Sequence, residues 1–143
     1  MKNNVIGLIL FFGILFQMAC RCDKVDCKDG DTIKLRWMKD GHNALFGPDA
    51  SINRDSVRFF NSEFVNESQL INYNDQTETM DLYIVNGIKY CLELNNTEMD
   101  TLSANFISLG KSDCCEKIKM VNVKLNGNVV CQDNCNEIIE IQL

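Results

Sequence analysis

From Ile33 onward the chain alternates apolar and polar positions with a period of two. Ile33, Leu35 and Trp37 alternate with Lys34 and Arg36, and Asp40-Gly41 ends the run. Val57 and Phe59 flank Arg58, and Met80, Leu82 and Ile84 alternate with Asp81 and Tyr83. This period puts one side of each segment on a core and the other in water, as in a half-buried strand. Asn86-Gly87 comes next, the strongest short-range hairpin signal. Tyr90, Leu92 and Leu94 then alternate with Cys91 and Glu93, so residues 80–94 are predicted to form one hairpin. Leu102, Ala104 and Phe106 carry the pattern on. Val121, Val123 and Leu125 lead into a second Asn-Gly pair at Asn126-Gly127, with Val129-Val130 returning. Ile139, Ile141 and Leu143 close the chain. No segment shows the 3.6-residue period of an amphipathic helix. About seven short strands with frequent turns predict an all-β fold, an antiparallel β-sandwich or barrel. Gly41–Asp55 has few strand signals and holds the single proline, Pro48, so it is predicted to be a long surface connection.

The first residues break this pattern. Met1-Lys2-Asn3-Asn4 is short and positive, and Val5–Phe16 is an unbroken apolar run of 12 residues. A spanning helix needs about 20 such residues, whereas a signal-peptide core needs about 7–15. Gln17-Met18-Ala19 and then Cys20 follow. Gln17 departs from the small or aliphatic residue that export cleavage sites favour. A cysteine at the first mature position is required only by lipoprotein processing. The segment therefore predicts a signal peptide over residues 1–19, a lipidated Cys20 beginning a polar tether over 20–30, and a β domain over 31–143. The protein is then exported and held by acyl chains such as palmitate in the bacterial envelope, with the outer membrane as the expected leaflet. Two or more chains hold stably where one holds marginally, at about 0.8 kcal/mol per buried CH₂. The simpler alternative is ordinary secretion with Cys20 as one more thiol.

Composition narrows the partners. The formal net charge is −6 over 143 residues, and removing Lys2 with the leader makes it −7. An acidic surface without a basic stripe repels phosphate backbones, which excludes nucleic acid from the expected partners. The bilayer through Cys20 is the one partner the sequence identifies, beside an unspecified protein or glycan.

Eight cysteines are many for a reducing compartment. With Cys20 acylated, seven candidates for disulfides remain: Cys22, Cys27, Cys91, Cys114, Cys115, Cys131 and Cys135. Seven is odd, so one is left free or pairs between molecules. Cys114 and Cys115 are neighbours and each wants a separate partner, because a ring closed between adjacent cysteines is strained. Cys131 and Cys135 are the nearest candidates for them across the Asn126-Gly127 turn, and Cys22 with Cys27 is the candidate for a small loop near the tether. Cys91 lies between Lys89 and Glu93 on the polar face of its strand, paired or as the odd thiol. The cysteine spacings lack the repeated knuckles of a zinc site and the C-x-x-C of a redox site, so no metal and no cofactor is expected.

Catalytic constellations are equally scarce. His42 is the only histidine and reads as a solvent-facing loop residue, not as the base of a Cys–His pair. Asp26, Asp29 and Asp31 miss calcium-loop spacing. Asn66-Glu67-Ser68 and Asn95-Asn96-Thr97 match the N-glycosylation triplet, which a bacterial lipoprotein would not generally use. Thr32, Ser56 and Thr101 each stand in an Asp-Ser/Thr-apolar triplet like those some Gram-negative bacteria O-glycosylate, and each also reads as a strand start.

The lipobox-like start, Asn43–Asp55 (NALFGPDASINRD) leading into Ser56-Val57, and Ser112-Asp113-Cys114-Cys115 followed by Asn126-Gly127 and Cys131 resemble a group of small lipoproteins of Gram-negative bacteria. The resemblance covers most of residues 31–143. It implies a transthyretin-like, immunoglobulin-like sandwich and brings no activity, so no catalytic residue is carried over. The expected role is a non-enzymatic, membrane-anchored binding or structural module. The alternatives are a small thiol-active or hydrolytic exported enzyme, and a surface inhibitor or adhesin.

Overall fold

The computed structural model describes residues 27–95, 99–112 and 114–143. The predicted leader, the lipidation site Cys20 and Cys22 lie outside the described residues. The described chain is all-β, with ten strands and one short 3₁₀ turn, Arg54–Ser56.

One sheet is built around β1 (Gly30–Lys39), which lies between β10 (Ile138–Gln142) and β5 (Thr79–Val85); β4 (Ile71–Asn74) pairs with the far edge of β5, and β2 (His42–Asn43) folds back on β1. The second sheet runs in the order β3 (Arg58–Asn61), β6 (Lys89–Glu93), β7 (Met99–Ser112), β8 (Cys115–Leu125) and β9 (Asn128–Cys131). The strands therefore number ten, not about seven. Pairing is antiparallel except between β1 and β10, which run parallel with Leu35 opposite Ile139 and Trp37 opposite Ile141. That pair is the exception to the predicted all-antiparallel arrangement: the chain's last alternating run lies beside its first.

Period-two alternation explains which face of each sheet is buried. In the first sheet Ile139, Leu35, Met80 and Tyr73 fall in one row, and Ile33, Leu82 and Ile71 in the next. The second sheet supplies Phe59, Tyr90, Leu92, Leu102, Met120 and Val123, and residues from both sheets form a single apolar cluster. Phe59 stacks on Tyr90 with ring centroids 4.9 Å apart. Burying a side chain of this size contributes about 1.5–3 kcal/mol.

The stretch Gly41–Asp55 is not a plain surface connection. Asp40 and Gly41 both take positive φ, 51° and 80°, which is the two-residue turn that matches strand twist, and the chain returns as β2. Ala44, Leu45, Phe46 and Ile52 are then buried against the core. They belong to the same apolar cluster as the two sheets. Arg54 holds this segment down: its guanidinium lies 3.9 Å from the centre of the Phe46 ring and its Nε donates to the Leu45 carbonyl at 2.9 Å.

The two Asn-Gly pairs behave differently. Asn126 and Gly127 both have positive φ, 51° and 82°, and join β8 to β9 as a tight hairpin. At Asn86-Gly87 only the glycine is positive, at 77°. The chain there passes from β5 in one sheet to β6 in the other, so residues 80–94 are a crossover and not the predicted hairpin. Both segments carry full apolar faces, and placing them in opposite sheets lets each face the other across the core.

Candidate functional site

The chemistry-bearing part of the described chain is the β7–β8 hairpin and the segment stapled to it. Phe106 opposite Met120 is the last row that reaches the core. Beyond it the two strands stay paired, Ile107 with Lys119, Ser108 with Ile118, Lys111 with Glu116 and Ser112 with Cys115. Six further residues on β7 extend the hairpin by roughly 20 Å. A register shift between Ser108 and Lys111 marks a bulge on the way, a device that adds local twist. The sequence pattern stopped at Phe106 because Ile107 and the bulge break the alternation. Ile118 and Met120 around Lys119 were the signal that could have found the returning strand.

Cys115, at the first position of β8, is bonded to Cys27, with Cα atoms 5.4 Å apart. Cys131 and Cys135 are bonded to each other, Cα–Cα 5.7 Å. Thus Cys27 does not close a small loop with Cys22, and Cys131 and Cys135 do not serve the Cys114–Cys115 pair. The reason is distance in the fold: β9 lies at the opposite end of β8 from Cys115, while the chain entering β1 passes beside it. Cys114 is also disulfide-bonded. The stretch before the domain is fixed at Cys27, three residues ahead of Gly30, where β1 begins.

Two open clefts of about 430 and 440 Å³ lie along the stapled segment. Cys27, Asn86, Phe106 and Ser108 line the first; Gly30, Asp31, Leu109 and Lys117 line the second; Lys28, Glu116 and Ile118 are common to both. Ile107 and Leu109 on the hairpin are 46% and 60% exposed. Nearby, the Tyr83 hydroxyl donates to Asp29 at 2.9 Å. Burial first, and that carboxylate second, push the Tyr83 phenol above its ordinary pKa.

Among the described residues the free thiol is Cys91. It lies on the outer side of the second sheet as its position between Lys89 and Glu93 requires, opposite Phe60 and Thr101, yet only 7% of it is exposed. Phe60, itself buried, sits outside the core cluster with it, and Arg58 lies 5.4 Å from the Phe60 ring while pairing with Glu93 at 3.3 Å. The aromatic ring and these long side chains account for the buried thiol on a nominally polar face.

The remaining candidates are scattered. Thr32 is half-buried within β1, beside Tyr83. Ser56 donates to the Asn53 carbonyl at 2.7 Å in the 3₁₀ turn, and the Thr101 hydroxyl is 3.5 Å from Asn126 Oδ1. His42 is exposed, 3.7 Å from Asp49. The structure brings none of these together. Among the described residues no cluster of His, Cys, Asp and Glu has the spacing to hold a metal ion, and no helix is long and apolar enough to cross a membrane. Comparison with protein-family models, with curated proteins and with solved structures yields no match to this chain.

Proposed function

We propose that this protein is an exported envelope lipoprotein, anchored through Cys20, whose β-sandwich of immunoglobulin-like or transthyretin-like kind serves as a non-enzymatic binding or structural module. The observation that carries the reading is the bond between Cys27 and Cys115. It ties the residues just after the leader to the end of the longest hairpin, and such bonds persist in oxidising compartments. An exported chain with a short acylated tether gains from that staple, because the domain is then held close to its anchor.

Cysteine counting agrees with the anchor. Cys27 pairs with Cys115, Cys131 with Cys135, Cys91 is free and Cys114 is bonded. With Cys20 acylated and Cys91 free, six of the eight cysteines remain, an even number that three bonds use completely.

A thiol-active enzyme is the reading of a different class. A nucleophilic thiol needs a partly exposed, electropositive setting, and the burial of Cys91 weighs against it. Labelling with palmitate in a Gram-negative host tests the proposal. The wild-type chain should incorporate label and run as the shorter, processed chain, and Cys20→Ser should abolish the labelling. Palmitate label retained by Cys20→Ser, or absent from the wild type, would refute the anchor.

A further inference from the structure

We infer that the end of the β7–β8 hairpin is a second contact with the lipid surface, so that the anchor sets the orientation of the domain as well as its position. The inference rests on the lipid-anchor reading.

Reach comes first. Cys27 is seven residues after Cys20, and an extended chain spans at most about 3.3–3.6 Å per residue, so Cys27 lies within roughly 25 Å of the acylated sulfur. Its bond to Cys115 puts the end of the hairpin at that same short distance. The opposite end of β7 and β8 is much farther away: fourteen residues of β7 span roughly 45 Å. The hairpin end is therefore the part of the domain presented to the leaflet.

Chemistry comes second. Leu109 and Ile107 expose 60% and 46% of their surface on the portion of the hairpin that runs past the core. Lys111 and Lys117 flank them, both exposed. Residues 107–119 carry three lysines against Asp113 and Glu116, and with Lys28, Asp29 and Asp31 of the stapled segment the hairpin end is neutral in a chain of −6. Apolar side chains with lysines around them suit the boundary of an anionic bilayer, where the apolar groups enter and the ammonium groups stay at the headgroups. A protein groove could also take such side chains, but nothing fixes it at this end as the acyl chains fix the bilayer.

The test uses the full mature chain, purified from membranes and reconstituted in vesicles of phosphatidylethanolamine and phosphatidylglycerol with brominated acyl chains. The native Trp37 is 1% exposed in the core and gives a constant background. Leu109→Trp places a reporter on the hairpin, and Val129→Trp places one at the far end of the sheet, where Val129 is 53% exposed; both sites are exposed, so folding is preserved. The expected result is roughly twofold quenching of the Leu109→Trp reporter, at the shallow depth of an interfacial contact, with Val129→Trp unchanged. Equal quenching of the two, or none of Leu109→Trp, in protein whose mass shows acylated Cys20 would overturn the orientation and leave the anchor standing. Absence of acyl mass on Cys20 would overturn both.

Discussion

Cys27 and Cys115 are separated by 88 positions in the sequence and by 5.4 Å between their Cα atoms. The bond joins the chain entering β1 to the outermost pair of the β7–β8 hairpin. Cys131 and Cys135 are only four positions apart. In the chain-entropy view a cross-link stabilises by restricting the unfolded chain, more so for a longer loop.

The long-range and the short-range cross-links should accordingly differ in worth. Because Cys114 is bonded beside Cys115, the long loop opens only when both are removed: Cys27→Ser with Cys114→Ser and Cys115→Ser is expected to cost about 4 kcal/mol, and Cys131→Ala with Cys135→Ala about 2 kcal/mol. Urea unfolding midpoints of the two variants measure this. A larger loss from the four-residue bridge would contradict the account.

Gly30 is needed where β1 begins. A Cβ on it would run into the carbonyl of Ile84 and the ring of Tyr83, on the strand that pairs with it. The carbonyl is backbone of the strand paired with β1, so it cannot turn aside as a side chain can. Gly30→Ala should destabilise by roughly 1–3 kcal/mol, the usual cost of overpacking. Thermal unfolding should show it as a lowered midpoint with an unchanged far-ultraviolet spectrum at room temperature.

Much of the fold was legible because period-two alternation is strong in β1, β5, β6 and β10. Leu35, Trp37, Leu82, Leu92 and Ile141 all point where their spacing said they would, and all are buried. Pairing was less legible. Asn86-Gly87 and Asn126-Gly127 are the same dipeptide, but what decides hairpin against crossover is whether the flanking apolar faces belong on one side of the core or on two. That is a property of the assembled sheets. The same holds for Ala44, Leu45 and Phe46, whose short apolar run has no period, and for the outer reach of β7, where the bulge hides the alternation. Disulfide partners were beyond reach, because they follow from which strand ends meet.

All three tyrosines should titrate late. Burial pushes Tyr73, Tyr90 and Tyr83 above the ordinary phenol value of 10.0, with Asp29 adding to the effect at Tyr83 and Arg54 partly offsetting it at Tyr73. A phenol that holds its proton more tightly when folded stabilises the fold fully below the unfolded pKa. That contribution is lost as the pH rises through the folded value. Stability should therefore be flat up to pH near 10 and fall above it. Phenolate absorbance should lag behind that of the protein in denaturant at the same pH; coincident curves would contradict the burial of Tyr90.

Cys91 should be silent until the fold opens. It is 7% exposed beside Phe60, so a thiol reagent should label the native protein slowly and the denatured protein stoichiometrically at this one residue. Fast labelling of native Cys91 would reopen the thiol-enzyme reading. Phe60→Ala should raise the native rate by uncovering the sulfur.

The most direct test of the anchor is mass analysis of unreduced, membrane-extracted protein, intact and after trypsin. Cleavage after Arg21, Lys24, Lys28, Lys111 and Lys117 separates Cys20-Arg21, Cys22–Lys24, the Cys27 peptide and Ser112–Lys117, which holds both Cys114 and Cys115. The account predicts a mature chain starting at an acylated Cys20, with Ser112–Lys117 cross-linked to the Cys22 and Cys27 peptides. A Ser112–Lys117 peptide cross-linked to an unacylated Cys20 would contradict it.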